Sequence, residues 1–110
     1  MTLQVNGCAI ATDDDGFLKN LEDWNPDVGN ALARQESIIM SDAHWEVIDS
    51  LKRFYQAFQV SPAMRPLVKY IAKELGPEKG KSIYLMRLFP PSPARVAAKI
   101  AGLPRPDNCL

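Results

Sequence analysis

The sequence predicts an α+β protein that is mostly α-helical, with an N-terminal β-hairpin, about five helices in a compact bundle and a mobile C-terminal arm. Three observations predict this class. An Asn-Gly pair separates two short apolar segments near the N-terminus, as in a hairpin. Apolar residues then recur at helical spacing in segments bounded by capping residues, glycine and proline. With 110 residues, 46% of them hydrophobic, the chain suits one domain over residues 1–110.

The first predicted element is the hairpin. Asn6 and Gly7 favour a type I′ turn between short strands at 3–5 and 9–12, with Cys8 at the rim of the hairpin. A lone hairpin is only marginally stable in water, so we expect it to pack against the helices. The acidic run at 13–15 then predicts a solvated turn, because the spaced ligands of a calcium loop are missing.

Two longer helices come next. One runs from Pro26 to about Glu36, because Asn25 followed by proline is typical of a helix start. The other begins after Ser41, which is again a capping residue. Its predicted buried face consists of the apolar side chains at helical spacing, namely Val47, Ile48, Leu51, Phe54, Tyr55 and Phe58.

Three further helices complete the bundle. Ser61, which precedes a proline, repeats the start signal and predicts a helix that Gly76 ends. Two shorter helices are predicted over 81–89 and from 93 to about 101, each preceded or followed by glycine or proline.

The charges are unevenly distributed although the formal net charge is zero. Residues 1–60 hold four Lys or Arg against ten Asp or Glu, whereas residues 61–110 hold nine against three. The first half is therefore about −6 and the second about +6. Two interpretations stay open, a basic surface for a partner and internal complementarity between packed halves.

Several site classes are excluded by composition and spacing. The only cysteines are Cys8 and Cys109, and there is one histidine, so a zinc site has too few ligands. Residues 76–82 resemble a phosphate-binding loop, but Gly76 and Gly80 are one residue too close together and no apolar strand precedes them. We expect no metal and no cofactor. The sequence shows neither a membrane span nor a secretory signal, so we expect a cytoplasmic protein.

Two other features have a structural and a functional interpretation. His44 would suit a general base, but no serine or cysteine lies at a suggestive spacing, so a packing or surface role is favoured. The lysines at 69, 73, 79 and 81 suit a DNA-reading helix, and equally a solvated face. A DNA-binding regulator is kept as an alternative function.

Cys109, the last residue but one, is the candidate for chemistry. Gly102 should stop the last helix, and Pro104 and Pro106 deny a helix to the arm, residues 103–110. A thiol at the tip of such an arm suits entry into the active site of another protein. Arg105 would favour its thiolate, whereas nearby carboxylates oppose it, so we expect activation by the partner.

The same segments resemble the TusE/DsrC family. The resemblance is carried by Arg87-Leu88-Phe89-Pro90, Pro93-Ala94, Lys99-Ile100-Ala101-Gly102-Leu103-Pro104-Arg105-Pro106 and Cys109. It extends to Asp14, Gly16-Phe17-Leu18, His44-Trp45-Glu46-Val47-Ile48, Ser61-Pro62-Ala63-Met64-Arg65 and Leu67-Val68-Lys69, and so spans essentially the whole chain.

The resemblance implies a sulfur carrier with a persulfide on Cys109, a carrier-type sulfurtransferase rather than an enzyme with ordinary turnover. It would accept sulfur from a TusBCD-like complex and pass it to a tRNA 2-thiouridylase of the MnmA type, with or without bound tRNA. In the DsrC branch a second cysteine lies eleven positions upstream, where this chain has Ala98. The chain follows the TusE branch, and an interaction subunit of dissimilatory sulfite reductase or of sulfur oxidation is the alternative. Cys8 has no role in either pattern.

Overall fold

The computed structural model describes residues 1–106, and it begins with the predicted hairpin. Strands β1 (Thr2–Val5) and β2 (Cys8–Ala11) pair antiparallel, from Thr2 opposite Ala11 to Val5 opposite Cys8. Asn6 and Gly7 have φ values of 51° and 80°, the left-handed pair that a type I′ turn requires. The hairpin lies against a helix, as expected, because the inward-facing residues of β1 pack on α1 (Pro26–Gln35).

The acidic turn and a short unpredicted helix join the hairpin to α1. The Asp13 carboxylate accepts hydrogen bonds from the backbone N–H groups of Asp15 and Phe17, at 2.9 and 3.0 Å. These bonds organise the turn locally. A 3₁₀-helix at Leu21–Asp23 follows, which the sequence pattern did not predict because a single turn leaves no periodic signal.

Helices α1 and α2 (Asp42–Phe58) begin where their caps predicted. Asn25 accepts a hydrogen bond from the N–H of Val28 at 2.9 Å. Most of the predicted apolar face of α2 is buried or half-buried, but Phe58 is 58% exposed, so its place in the core was wrongly predicted. The helix ends there, and Gln59 turns the chain through a left-handed conformation with φ of 58°.

The remaining helices are α3 (Met64–Leu75), α4 (Ser82–Leu88) and α5 (Pro93–Ile100). The predicted cap of α3 at Ser61 was wrong, because the helix begins two residues later, with Ala63 at the cap position, and Ser61 caps nothing. Its hydroxyl has a different partner near the C-terminus, described below. Helix α4 is one residue shorter at each end than predicted.

The core is built around α5. This short helix contacts each of the other four α-helices, and seven of its eight residues are buried. Leu32, Ile48, Leu67 and Leu85, from the four surrounding helices, are fully buried. The predicted class, a hairpin with a mostly helical bundle, is confirmed. Within residues 1–106, no helix has the length and apolarity needed to cross a membrane.

Candidate functional site

Cys109 lies three positions after a segment that the structure describes in detail. Residues 107–110, with the predicted carrier cysteine, lie outside the described residues. The four residues at 103–106 lead to it, and we call them the arm root. Their contacts fix the point from which the cysteine is presented.

The arm root begins with a turn that only glycine allows. Gly102 has φ of +72°, and a Cβ placed there would lie 2.4 Å from Cδ1 of Trp24. The next residue, Leu103, is only 4% exposed, and its N–H donates to the carbonyl of Ala98 at 2.9 Å. A fixed turn at Gly102 therefore connects helix α5 to the arm root.

Trp24 and Lys52 cover the C-terminal end of α5. The indole Nε1 of Trp24 donates to the carbonyl of Ile100 at 2.8 Å, and Lys52 Nζ donates to that of Ala101 at 3.0 Å. The ammonium also lies 3.6 Å from the centre of the Trp24 ring. A cation at a helix C-terminus is favourable. Burial lowers the pKa of Lys52, and the carboxylate of Asp49 opposes this in part.

Ser61 holds the second residue of the arm root. Its hydroxyl donates to the carbonyl of Pro104 at 2.5 Å, and its side chain is buried. Proline has no N–H, so its carbonyl is the only backbone group through which the body can hold Pro104. The connection between α2 and α3 is thereby tied to the C-terminal segment.

Arg105 joins the arm root to the acidic turn. Its guanidinium donates to the carboxylate of Asp15 and lies 5.1 Å from the ring of Phe17. The hydrogen bond from Arg105, and then its charge, hold the pKa of Asp15 below the usual range. Both side chains are about half exposed, so the ion pair should be sensitive to salt.

These contacts revise the predicted arm. Residues 103–106 were assigned to a mobile segment, yet Leu103 and Pro106 are buried and Pro104 and Arg105 are bonded to the body. The reason is long-range packing: Ser61 and Asp15, which bind Pro104 and Arg105, come from distant parts of the chain. The rest of the predicted arm, residues 107–110, lies outside the described residues.

A buried ion pair lies beside the arm root. Lys99 is 6% exposed, and its ammonium lies 2.7 Å from a carboxylate oxygen of Glu36. Lys99 and the acidic turn line a cleft of about 220 Å³. Both cations that the sequence places nearest the arm, Arg105 and Lys99, are thus engaged by carboxylates.

His44 has a structural role, as its pattern favoured. Its Nδ1 accepts from the N–H of Ser41 at 3.1 Å, so the hydrogen-bond pattern assigns the proton to Nε2. Nε2 lies 2.9 Å from the carbonyl of Leu88, and the ring meets Phe89 edge-on. The imidazole caps α2 and ties it to the end of α4, which leaves neither nitrogen for base catalysis.

The ion pairs of the described residues favour internal charge complementarity. Three of the four join a carboxylate of the acidic half to a cation of the basic half, namely Lys79–Glu46, Lys99–Glu36 and Arg105–Asp15, whereas Arg53–Glu74 joins the halves in the opposite sense. Lys69 and Lys73 remain on the exposed face of α3, opposite the buried Leu67 and Ile71. The amphipathic pattern of α3 explains these lysines as its solvent-exposed face, so they give no evidence for DNA binding.

The other candidate ligands are dispersed. Cys8 is exposed on the hairpin, and residues 1–106 contain no group of His, Cys, Asp and Glu side chains that would hold a metal ion. The functional residues that sequence reasoning missed are Trp24, Lys52, Ser61 and Asp15. Their partners lie 76, 49, 43 and 90 positions away, and local patterns carry no signal for such contacts.

The sequence is similar to a known family and to curated relatives over nearly its full length. Residues 4–110 match the family model described as DsrC like protein. Sulfurtransferase TusE homolog of Haemophilus influenzae is 51% identical over 108 residues, or 98% of this chain and 99% of that protein. Sulfurtransferase TusE of Yersinia pestis is 50% identical over 108 residues, with 98% and 99% covered.

Two solved structures have a similar fold. The NMR structure of Allochromatium vinosum DsrC is 43% identical, with a TM-score of 0.89, and the match covers 99% of this chain and 97% of that one. The oxidized gamma-subunit of the dissimilatory sulfite reductase (DsrC) from Archaeoglobus fulgidus is 36% identical, with a TM-score of 0.84 and full coverage of both chains.

Proposed function

The chain belongs to the DsrC-like family, and from this premise we propose that it carries sulfur as a persulfide on Cys109. The name sulfurtransferase, shared by relatives at about half identity, supports a sulfur-carrier role. The observation that carries the proposal is the penultimate cysteine, three positions after the last residue of an anchored arm root. Fixed anchors restrict where the thiol can be presented, which favours transfer between proteins.

The chemistry is sulfur-to-sulfur displacement. The Cys109 thiolate attacks the outer sulfur of a donor persulfide, which forms the Cys109 persulfide and releases the donor thiolate. An acceptor thiolate then attacks the outer sulfur of Cys109 in the same way and regenerates the thiolate of the carrier. One S–S bond forms and one breaks in each step, so no external oxidant is needed.

The proposed partners follow the TusE branch. We propose a TusBCD-like complex as the donor and a tRNA 2-thiouridylase of the MnmA type as the acceptor, for 2-thiolation of wobble uridine in the cytoplasm. Because Arg105 and Lys99 already bind carboxylates, activation of the thiol is assigned to the partner that receives it. The carrier itself needs no cofactor in either step.

A sulfite-reductase subunit is the second candidate, since the similar protein from Archaeoglobus fulgidus is described as the gamma-subunit of that enzyme. Ala98 argues against it, because the resemblance places the second cysteine of the DsrC branch at this position. Ala98 is fully buried, and its carbonyl binds the arm root. Without a second thiol in the tail, the chain cannot close an intramolecular bridge there.

The test is the mass of the protein after incubation with a persulfide donor. We expect an increase of about 32 Da, one sulfur atom, that maps to Cys109 and disappears in Cys109→Ser. Cys8→Ser is the matched control and should gain the same mass, because Cys8 is the exposed thiol at the other end of the chain. An adduct confined to Cys8 would overturn the proposal.

A further inference from the structure

We propose that protein partners dock on the surface around the arm root, with exposed Phe58 and Val60 inserting into an apolar groove of the partner. This inference rests on the proposed carrier function, because it identifies the face that the donor and the acceptor recognise. The arm root also binds the acidic turn through Arg105, so we expect the partner to carry a basic residue beside Asp14.

Covalent reach places the partner at this surface. Pro106 is buried, and only three peptide units separate it from Cys109. At about 3.3 to 3.6 Å per residue, three residues can reach at most roughly 10 Å beyond that point. The reacting sulfur of a partner must come within this distance. A protein large enough to hold an active site must then contact the residues that surround the arm root.

The apolar side of this surface is at the end of α2. Val60 is 50% exposed and precedes Ser61, whose hydroxyl holds Pro104. Phe58 is 58% exposed, and its ring packs on Phe54 with centroids 4.6 Å apart. Exposed aromatic and branched side chains beside a reactive arm are typical of the apolar centre of an interface.

The acidic side supplies the charge. Asp14 and Asp15 are exposed, and Asp15 binds the third residue of the arm root. The guanidinium of Arg105 offsets the charge of Asp15, so Asp14 is the exposed carboxylate of the turn that disfavours the phosphates of a nucleic acid and favours a basic side chain. The surface therefore fits a protein, and any tRNA on the acceptor should lie away from it.

A second exposed apolar pair provides the control. Ile83 and Met86 on α4 are 62% and 42% exposed. Contacts of His44 and Glu46 with Leu88 and Lys79 place α4 at the N-terminal end of α2. The arm root is bound beyond the other end, and the 17 residues of α2 span about 25 Å. Ile83 thus matches Phe58 in exposure but lies outside the proposed face.

The experiment separates loading from docking. Cys109 is loaded with sodium polysulfide, and transfer from the loaded protein to the MnmA-type thiouridylase is then timed. We expect Phe58→Ser/Val60→Ser to load normally but to transfer about tenfold more slowly, as for loss of two interface anchors. Ile83→Ser should transfer within about twofold of the unchanged protein.

Each outcome has one meaning. Normal loading with unchanged transfer by the double variant overturns the docking face and leaves the carrier function intact. Failure of polysulfide to load Cys109 overturns the carrier function itself. Because Phe58 packs on Phe54, Val60→Ser is tested alone and should slow transfer about threefold with unchanged unfolding. Equal slowing by Ile83→Ser would also overturn the assignment.

The charge of the partner is tested with Asp14→Asn. Added salt should slow transfer by the unchanged protein, because it screens the attraction between the acidic turn and basic residues. The variant should show a weaker dependence on salt and a slightly lower rate at low salt. If Asp14→Asn showed the same salt dependence as the unchanged protein, the proposed basic residue of the partner would be contradicted.

Discussion

Each end of the chain carries a cysteine, but the described segments that lead to the two cysteines are held differently. Cys8 is the first residue of β2, and its backbone pairs with Val5 on the opposite strand. Its side chain is exposed. The segment before Cys109 is fixed by Trp24, Ser61 and Asp15, which come from three separate parts of the chain. Exposed thiols are common in proteins, whereas long-range contacts that converge on Gly102, Pro104 and Arg105 indicate a segment whose position matters.

The largest expected effect compares a glycine near each cysteine. Gly102→Ala should lower the free energy of unfolding by about 3 kcal/mol, because a Cβ adds a clash with Trp24 to the left-handed strain. Gly7→Ala meets nothing within 4 Å, so only the strain at φ of +80° remains, about 1 kcal/mol. Urea denaturation measures both.

Equal losses for the two glycine variants would contradict the close approach of Trp24 to Gly102, the residue before the arm root. The same pair sharpens the functional comparison. Gly102→Ala should displace the arm root and slow transfer from a loaded Cys109. Gly7→Ala should leave that transfer unchanged, since the hairpin turn lies outside the proposed site.

A smaller effect is expected at Ser61. Ser61→Ala leaves the carbonyl of Pro104 without its side-chain donor, and we expect a loss of about 1 kcal/mol in the free energy of unfolding. Ser92→Ala is the matched control, because Ser92 precedes α5 without a side-chain capping bond. It should cost less than about 0.5 kcal/mol. A loss no larger than that of Ser92→Ala would show that the anchor at Pro104 contributes nothing.

The smallest effect is the pH dependence of the Asp15–Arg105 pair. The pKa of Asp15 is lower in the folded protein than its ordinary value of 3.8. A depressed pKa contributes stability that is present above the unfolded value and is lost as pH falls through the folded value. The Arg105 Nε resonance, followed by NMR from pH 6 to pH 2, should therefore shift only below about pH 4.

Asp15→Asn removes the titrating group and should abolish that shift. A shift centred above pH 4 would mean that another carboxylate binds Arg105. The hairpin offers a comparison here too, because Asn6 binds Asp27 across the surface at 2.9 Å without a second charge. No comparable change in charge pairing is expected there.

Local signals predicted the fold well and the site only in part. The Asn6-Gly7 turn, the cap of α1 at Asn25 and the end of α3 at Gly76 were readable, because each depends on residues within one turn. Ser61 was misread for the same reason: serine before proline is a start signal, and nothing local reveals a partner 43 positions away. The arm root was assigned to a mobile segment because prolines indicate an extended chain and not what it packs against.

The most direct measurement follows labelled sulfur from the donor complex, through this protein, to 2-thiouridine in tRNA. The unchanged protein and Cys8→Ser should both deliver the label, and a sulfur-labelled Cys109 should appear as the intermediate. Cys109→Ser should deliver none above the level seen without the protein. Delivery of label by Cys109→Ser at the normal rate would contradict the account, because the arm root would then present a thiol that carries nothing.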